Sequence, residues 1–158
     1  MEITIRDAVK ADMTAVHGLI TELALFENEP DAVKVTVANL EEDGFLGDPL
    51  FHCFVAEVEH RVVGIALVYP RYSTWSGPVV HLEDLIVTES MRGKGVGAKL
   101  LEEVIKYGHA QGVRRISWEV LDWNEPAIQF YESKGAKIMR DWDVVQMDEA
   151  AIKKFIEQ

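Results

Sequence analysis

Hydrophobic and polar positions alternate over residues 2–8, which predicts a short β-strand at the start of the chain. Over residues 11–27 the apolar side chains recur three and four positions apart, so this stretch is predicted to be an amphipathic helix. A second helix is predicted from Thr36, a residue type that commonly caps helix N-termini, to Gly44. The chain therefore begins with one strand followed by two helices.

The period then changes from helical spacing to long apolar runs. Residues 51–58 and 61–70 are predicted to be two strands joined by a tight turn at Glu59 and His60, which makes an antiparallel hairpin. A loop leads to a third apolar strand at residues 79–87. This central region predicts a sheet that is antiparallel in its first half.

A glycine-rich turn follows the third strand, and helical spacing resumes at Val96 and continues to an end at Gly108 or Gly112. The remaining predicted elements are a strand at 114–121, a helix at 124–135 with Pro126 in its first turn, a closing strand at 136–148 and a terminal helix at 149–158. The expected fold is a single α/β domain spanning 1–158, with a mixed central sheet flanked by helices.

Composition limits the classes of function that need consideration. Lys and Arg number 16 against 27 Asp and Glu, a net charge of −11 that disfavours binding to nucleic acid and suits a cationic partner. Cys53 is the only cysteine, which excludes an internal disulfide and fits a reducing compartment. No apolar run reaches the length of a membrane span, and "MEITIRDAVK" lacks the hydrophobic region of a signal peptide. We expect a soluble, cytoplasmic protein with no membrane contact.

The turn Arg92-Gly93-Lys94-Gly95-Val96-Gly97 lies between a strand and a helix, an arrangement that can bind an anion. Glycines allow a phosphate to approach the backbone, and the N–H groups of the first helical turn donate to it. A Walker loop is excluded because Ala98 follows the last glycine where that motif needs Lys and Ser or Thr.

A dinucleotide-binding fingerprint is the rival interpretation of the same turn. Gly93-x-Gly95-x-x-Ala98 matches it formally, and Glu119 lies about twenty residues further on, near a strand end. Against it, Thr88–Arg92 separate the strand from the glycines, and the preceding region predicts a hairpin instead of a βαβ unit. A Rossmann-like domain therefore stays open as the alternative.

Glu83 and Asp84 interrupt a strand that is otherwise rich in Val, Leu and Ile. Neighbouring strand residues point to opposite faces, so one carboxylate is expected on the buried side unless a bulge redirects it. A buried carboxylate is costly unless it is paired, so these residues indicate either a functional site or an internal salt bridge.

Other catalytic signatures are absent. The chain has no Gly-x-Ser-x-Gly and no His-Glu-x-x-His, and its five histidines are scattered, so neither a hydrolase triad nor a metal site is predicted. Taken alone, Tyr131 could be a core tyrosine, while Asn124 and Pro126 could be an ordinary helix cap followed by a first-turn proline.

Considered together, these motifs resemble one family. The glycine turn is similar to the Arg/Gln-x-x-Gly-x-Gly/Ala acyl-CoA loop of the GNAT family of N-acetyltransferases, and the order of elements matches that fold. Within the family, "LEDLIV", "RGKGVG" and "WNEPAIQFYESKGA" look like the diamine acetyltransferases, the group of spermidine/spermine and thialysine N-acetyltransferases. The resemblance covers nearly the whole chain and implies a fold with a splayed parallel strand pair in mid-sheet.

The resemblance implies acetyl-CoA as cofactor, with no metal, a small cationic amine as substrate, and a homodimer. It assigns Tyr131 as general acid at the sulfur and Glu83 as the acid that assists amine deprotonation. The implied cofactor contacts are Leu85, Ile86 and Val87 along pantetheine, Arg92, Gly93, Lys94, Gly95, Val96, Gly97 and Ala98 around the pyrophosphate, and Asn124, Glu125, Pro126 and Ala127. The implied substrate contacts are Phe26, Glu27, Glu83, Asp84, Ser117, Trp118, Glu119 and Asp141.

Two positions depart from the polyamine enzymes. His81 stands where a tyrosine is usual, and the acidic substrate contact before the late tryptophan aligns with either Arg140 or Asp141. An arginine there would repel a second ammonium group, which leaves a short diamine, thialysine or another small amine as the acceptor. A non-catalytic acyl-CoA sensor remains a further class, distinguished by cofactor binding without turnover.

Overall fold

A five-stranded sheet with the strand order β1-β2-β3-β4-β5 organises the first part of the chain. The computed structural model describes all 158 residues, which separate into two compact units, 1–119 and 120–158. The first unit consists of β1 (Thr4–Asp7), α1 (Met13–Phe26), α2 (Val37–Phe45), β2 (His52–Val58), β3 (Arg61–Ser73), β4 (Gly77–Val87), α3 (Val96–Ala110) and β5 (Ile116–Ser117), with 3-10 turns at Lys10–Asp12 and Glu89–Met91.

The sheet is mixed, as the sequence predicted. Neighbouring strands from β1 to β4 are antiparallel, whereas β4 and β5 are parallel. The predicted hairpin turn is confirmed at Glu59 and His60, whose φ angles of 49° and 63° are left-handed. The predicted cap of α2 is also confirmed, because the side chain of Thr36 accepts a hydrogen bond from the Asn39 N–H at 3.1 Å.

Helices cover both faces of this sheet. The apolar face of α1 joins α2 and one sheet face in a buried cluster formed by Met13, Val16, Leu19, Leu40, Cys53, Val55, Ile65, Leu67 and Ile86. Helix α3 packs closely against β3 at Gly64. A Cβ atom at this position would lie 3.0 Å from Leu100 Cδ1 and 3.2 Å from Val96 Cγ1, both side chains of α3. Adjacent strand residues face opposite sides, so α3 lies across the sheet from the α1 cluster.

The second unit contains two helices, α4 (Glu125–Ser133) and α5 (Glu149–Ile156). Asn124 caps α4 by accepting from the Ala127 N–H at 3.4 Å, and Asp148 caps α5 by accepting from the Ala151 N–H at 2.8 Å. The predicted helices at 124–135 and 149–158 are therefore confirmed, and Pro126 lies in the first turn of α4 as expected.

Two strand predictions were wrong. The predicted closing strand at 136–148 is irregular, and the predicted strand at 114–121 is reduced to the two residues of β5. Alternating apolar residues make a segment competent for strand formation, but a strand also needs a ladder partner. Segment 136–148 pairs with no strand, and the ladder between β5 and β4 ends after two residue pairs.

The same topology excludes a doubly wound dinucleotide-binding fold. The strand that precedes the glycine turn, β4, is the second strand of an antiparallel pair with β3, so it does not complete a βαβ unit. None of the helices is both long and apolar enough to cross a lipid bilayer.

Candidate active site

A β-bulge places the two adjacent acids of β4. Across the β3–β4 ladder Asp84 lies opposite Leu67 and Leu82 lies opposite Val68, which leaves Glu83 as the extra residue. A bulge bends the strand and re-aims its side chains. The Glu83 side chain is 53% exposed, whereas Asp84 is partly buried. The bulge thus allows an apolar strand to present an accessible carboxylate beside a partly buried one.

The second half of β4 has an edge that no strand covers. Pairing with β5 ends at His81, so the two parallel strands separate beyond that point. The Thr88 N–H donates to the Val63 carbonyl of β3 at 2.9 Å. Because backbone groups of successive strand residues point to opposite edges, every second residue of β4 before Thr88 also bonds to β3. Leu85 and Val87 therefore direct their backbone groups to the opposite edge. An extended ligand could pair there as an added strand would.

The glycine turn ends at the N-terminus of α3. Gly93 and Gly95 have φ angles of 73° and 86°, and Gly95 is the N-cap residue of this helix. No side chain caps the helix, and a Cβ at Gly93 or Gly95 would meet no atom within 4 Å. The first N–H groups of a helix lack intrahelical partners and carry a partial positive charge. The turn is thus open to an anion.

Glu22 of α1 fixes the connection between β4 and this turn. Its carboxylate accepts from the Thr88 hydroxyl at 3.0 Å and from the Glu89 backbone N–H at 2.8 Å. The sequence prediction missed Glu22 because it lies more than sixty positions before its partners, and no local pattern links them. The contact anchors the glycine turn to α1.

Arg92 brings the predicted cofactor turn next to a predicted substrate residue. Its Nε donates to the Val87 carbonyl at 2.9 Å, its guanidinium lies 5.2 Å from the centre of the Phe26 ring, and its Nη2 is 3.7 Å from Glu22. The side chain therefore packs against the C-terminal part of α1. Phe26 and Arg92 belong to one cluster, although they are far apart in the sequence.

Two side chains contact the same oxygen of Glu83. The Tyr69 hydroxyl donates to Glu83 Oε2 at 3.2 Å, and His81 Nε2 lies 3.6 Å from that atom. Burial raises the pKa of Tyr69, with the Glu83 carboxylate acting in the same direction, so the phenol remains a donor. Sequence reasoning missed Tyr69; the signal that could have identified it is the hairpin register, which places Tyr69 opposite His81.

Asp84 is a partly buried acid without a countercharge. Burial raises its pKa to about 6, and the charges of Glu83 and Glu27 contribute to the shift. Burial also raises the pKa of Glu27, with Glu29 adding to it. No salt bridge of the protein involves Asp84, so a cationic ligand would relieve the repulsion among these carboxylates. Perturbed acids of this kind are candidates for functional sites.

Replacing Asp84 with asparagine is expected to stabilise the protein at neutral pH. The folded-state pKa of about 6 exceeds the usual aspartate value, so the folded state binds the proton more tightly and the free energy of unfolding falls as pH rises from about 4 to about 6. Asp84→Asn should therefore gain on the order of 2 kcal/mol at pH 7.5 and almost nothing at pH 4. Urea denaturation at both pH values measures this difference, with the exposed Asp48→Asn as control. If Asp84→Asn changed the free energy of unfolding equally at both pH values, the raised pKa of Asp84 would be refuted.

Cys53 offers no nucleophile. The thiol is buried in the sheet, and burial raises its pKa to about 12. A thiol with this pKa is protonated at neutral pH and therefore inert. Any group transfer at this site proceeds without a covalent enzyme intermediate on cysteine.

The remaining predicted site residues occupy two places. Ser117 ends β5 and contacts His81, and Trp118 and Glu119 follow it in the first unit. Residues 124–127 form the capped N-terminus of α4 in the second unit, with Tyr131 on the same helix and Asp141 in the irregular segment after it. The roles of Tyr131 and Asp141 stay predictions.

Comparison with known proteins identifies the family. Residues 16–136 match the model of the acetyltransferase (GNAT) family. The chain is 34% identical over 163 residues to a thialysine N-epsilon-acetyltransferase of Bos taurus, covering 96% of each protein. It is 37% identical over 139 residues to the Homo sapiens spermidine/spermine N(1)-acetyltransferase-like protein 1, covering 84% of this chain and 20% of that protein.

The fold is likewise shared with solved structures. An aminoglycoside N-acetyltransferase in complex with CoA superposes with a TM-score of 0.75 at 22% identity, covering 92% of this chain and 95% of that one. The mixed sheet with its parallel β4–β5 pair is thus a known architecture. The chain belongs to the GNAT family and is an N-acetyltransferase.

Proposed function

We propose that the protein transfers the acetyl group of acetyl-CoA directly to a primary amine of a small cationic acceptor, such as a diamine, a polyamine or a thialysine-like amine. The observation that carries this proposal is the uncovered edge of β4 from Leu85 to Val87, with the glycine turn at one end and the Glu83 bulge at the other. One strand thus offers contacts for an extended thioester and a carboxylate for an amine.

The cofactor fits the polarity of these groups. The pantetheine arm carries amides, which can pair with the backbone groups of Leu85 and with the Val87 N–H on the uncovered edge, while the Val87 carbonyl accepts from Arg92 Nε. The pyrophosphate carries negative charge, which suits the N–H groups at the start of α3 beside Gly93 and Gly95. Family membership supports the same assignment, and the predicted contacts at residues 124–127 extend it.

The acceptor fits the charge of the site. Glu83, Asp84 and Glu27 lie close enough for the charges of Glu83 and Glu27 to raise the pKa of Asp84, and no basic group of the protein neutralises Asp84. The net charge of −11 attracts cations over a longer range. A small amine with a positive charge is the substrate class that best relieves this repulsion.

The same carboxylates address the main obstacle to the reaction. An alkyl amine with a pKa of about 10.4 is neutral in only about one molecule in 2,500 at pH 7, so presenting the free amine costs roughly 4.6 kcal/mol. Glu83 accepts a proton from the ammonium, directly or through water, and the amine nitrogen then attacks the thioester carbonyl. A backbone N–H on the uncovered edge of β4 stabilises the oxyanion that forms.

Collapse of that intermediate breaks the carbon–sulfur bond and releases the thiolate of coenzyme A. Tyr131 donates a proton to the sulfur, and the second amine proton leaves to solvent or base as the amide forms. No acyl-enzyme is required, which agrees with the buried, protonated Cys53. We therefore propose a ternary complex of enzyme, acetyl-CoA and amine.

Calorimetry separates this proposal from its two alternatives. The protein should bind acetyl-CoA and bind NAD at least a hundredfold more weakly, because the topology lacks the βαβ unit of a dinucleotide site. Tight NAD binding without acetyl-CoA binding would support a dinucleotide-binding domain instead. Acetyl-CoA binding without release of coenzyme A on any amine tested would identify a non-catalytic sensor.

We further propose that the protein is a cytoplasmic homodimer and that residues 1–158 act as one domain. Support for the dimer comes from the second unit, where apolar side chains are highly exposed, among them Val145 at 89%, Ile156 at 76% and Trp142 at 65%. Large exposed apolar patches on a protein commonly mark an interface, and a second copy of the chain would cover these side chains. Light scattering should give twice the mass of 17.8 kDa; the mass of one chain would contradict the dimer.

A further inference from the structure

His81 is the only polar or charged residue in the buried core, with a relative exposure of 5%. It lies on β4, two residues before Glu83, and pairs across the ladder with Tyr69. A buried imidazole requires partners for both ring nitrogens. Those partners determine which nitrogen carries the proton.

The Nδ1 side faces hydrogen-bond donors. Nδ1 lies 2.9 Å from the Ser117 hydroxyl oxygen and 3.4 Å from Arg71 Nη1. A guanidinium group has donors only, and a hydroxyl can also donate, so Nδ1 acts as the acceptor for both. In a neutral imidazole the other nitrogen then carries the hydrogen.

The Nε2 side faces an acceptor. Nε2 lies 3.6 Å from Glu83 Oε2, the oxygen that also accepts from the Tyr69 hydroxyl at 3.2 Å. The imidazole N–H and the phenol O–H are both neutral donors. The phenol hydrogen bond restrains one oxygen of the carboxylate, and the imidazole N–H lies 3.6 Å from the same oxygen. Neither group cancels the charge of the carboxylate, and Oε1 is left for the amine.

We propose that His81, held in its neutral Nε2–H tautomer by Arg71 and Ser117, is a positioning residue that orients the Glu83 carboxylate toward the amine. The role rests on the proposed function, since it presupposes that Glu83 accepts the proton of the substrate. It is distinct from a proton-accepting role, because the nitrogen that faces Glu83 already carries hydrogen.

Burial favours the neutral form of the imidazole over the charged form. Burial lowers the pKa of His81 and Arg71 of β3 acts in the same direction, while Glu83 of β4 and Glu119 beyond β5 oppose them. Tyr69 is the other titratable group in contact, and it stays neutral. If the pH falls far enough to protonate the ring, imidazolium would pair with Glu83 and compete with the ammonium group of the substrate.

Nitrogen-15 NMR tests the tautomer without any turnover. Long-range proton–nitrogen correlation spectra of the histidine-labelled protein at pH 7.5, with His81→Asn to assign the signal, should show a protonated Nε2 and an unprotonated Nδ1. A protonated Nδ1, or a charged ring at this pH, would overturn the proposal. This measurement does not depend on acetyl transfer, so it tests the tautomer of His81 separately from the proposed function.

A pair of amide variants tests the positioning role. The amide of glutamine reaches the place of Nε2 and keeps a neutral donor near Glu83, whereas the amide of asparagine reaches only the place of Nδ1. His81→Gln should retain kcat within about threefold, and His81→Asn should lose about tenfold to a hundredfold in kcat with little change in the KM for acetyl-CoA. Equal kcat for the two variants, both folded by circular dichroism, would refute the positioning role.

The fall of kcat/KM at acidic pH is a further test of the role of His81, because a histidine with only a structural role would not affect it. The wild-type kcat/KM for the amine should fall more steeply below pH 6 than that of His81→Gln, since glutamine cannot become a cation. Superimposable acid limbs for these two proteins would contradict competition between imidazolium and substrate.

Discussion

Tyr131→Phe is expected to lower kcat by about 10²–10⁴-fold and to leave the affinity for acetyl-CoA nearly unchanged. The substitution removes one hydroxyl and keeps the ring, so it deletes the proposed proton donor for the leaving sulfur. Steady-state kinetics and calorimetry of the same preparation give the two quantities. Unchanged turnover would eliminate Tyr131 as the acid.

Two controls sharpen this result. Tyr107→Phe removes a hydroxyl from a tyrosine of α3 that stacks on His52 at 5.0 Å, outside the predicted site, and should leave kcat unchanged. An acetyl thioester of a more acidic thiol needs less protonation on leaving, so the defect of Tyr131→Phe should shrink with that donor. An equal defect with both donors would assign Tyr131 to binding geometry and not to proton transfer.

Glu83→Gln is expected to lower kcat/KM for the amine by about 10²–10⁴-fold at pH 7. Glutamine has nearly the same shape and can still accept from Tyr69, but it cannot take the proton of the ammonium. The defect should diminish as pH rises toward the pKa of the amine, about 10.4, because free amine then forms without the enzyme. The pH dependence of kcat/KM for wild type and variant measures this change.

Glu42→Gln serves as the matched control, since Glu42 is an exposed acid of α2 outside the site. It alters the net charge by the same amount and should leave the pH profile intact. If Glu83→Gln and wild type showed the same pH dependence, Glu83 would have no part in deprotonating the amine.

Local sequence patterns predicted most of the fold. Thr36 and Asn124 marked helix starts through their capping chemistry, and the apolar runs around Glu59 defined the first hairpin. These signals are carried by residues close together in the chain. The strand predicted at 136–148 did not form. Its alternating pattern is compatible with strand pairing, but no other strand pairs with it.

The site was predictable in part for the same reason. The glycines before α3 and the acids of β4 are contiguous motifs, whereas the contacts that orient them are not. Glu22 reaches Thr88 from a distant helix, and Tyr69 meets Glu83 only through the bulged β3–β4 register. The sequence left open whether a bulge redirects the acids, and the ladder answers that question.

Under the proposed function, acetyl-CoA donates its acetyl group to a primary amine without an acyl-enzyme. Measuring coenzyme A release together with the mass of the amine product, across short diamines, polyamines, thialysine and lysine, tests this transfer. We predict stoichiometric release of coenzyme A and one added acetyl group on at least one of these amines, with a short diamine or thialysine favoured over long polyamines. If none of these amines caused release of coenzyme A, the proposed acetyl transfer would be contradicted.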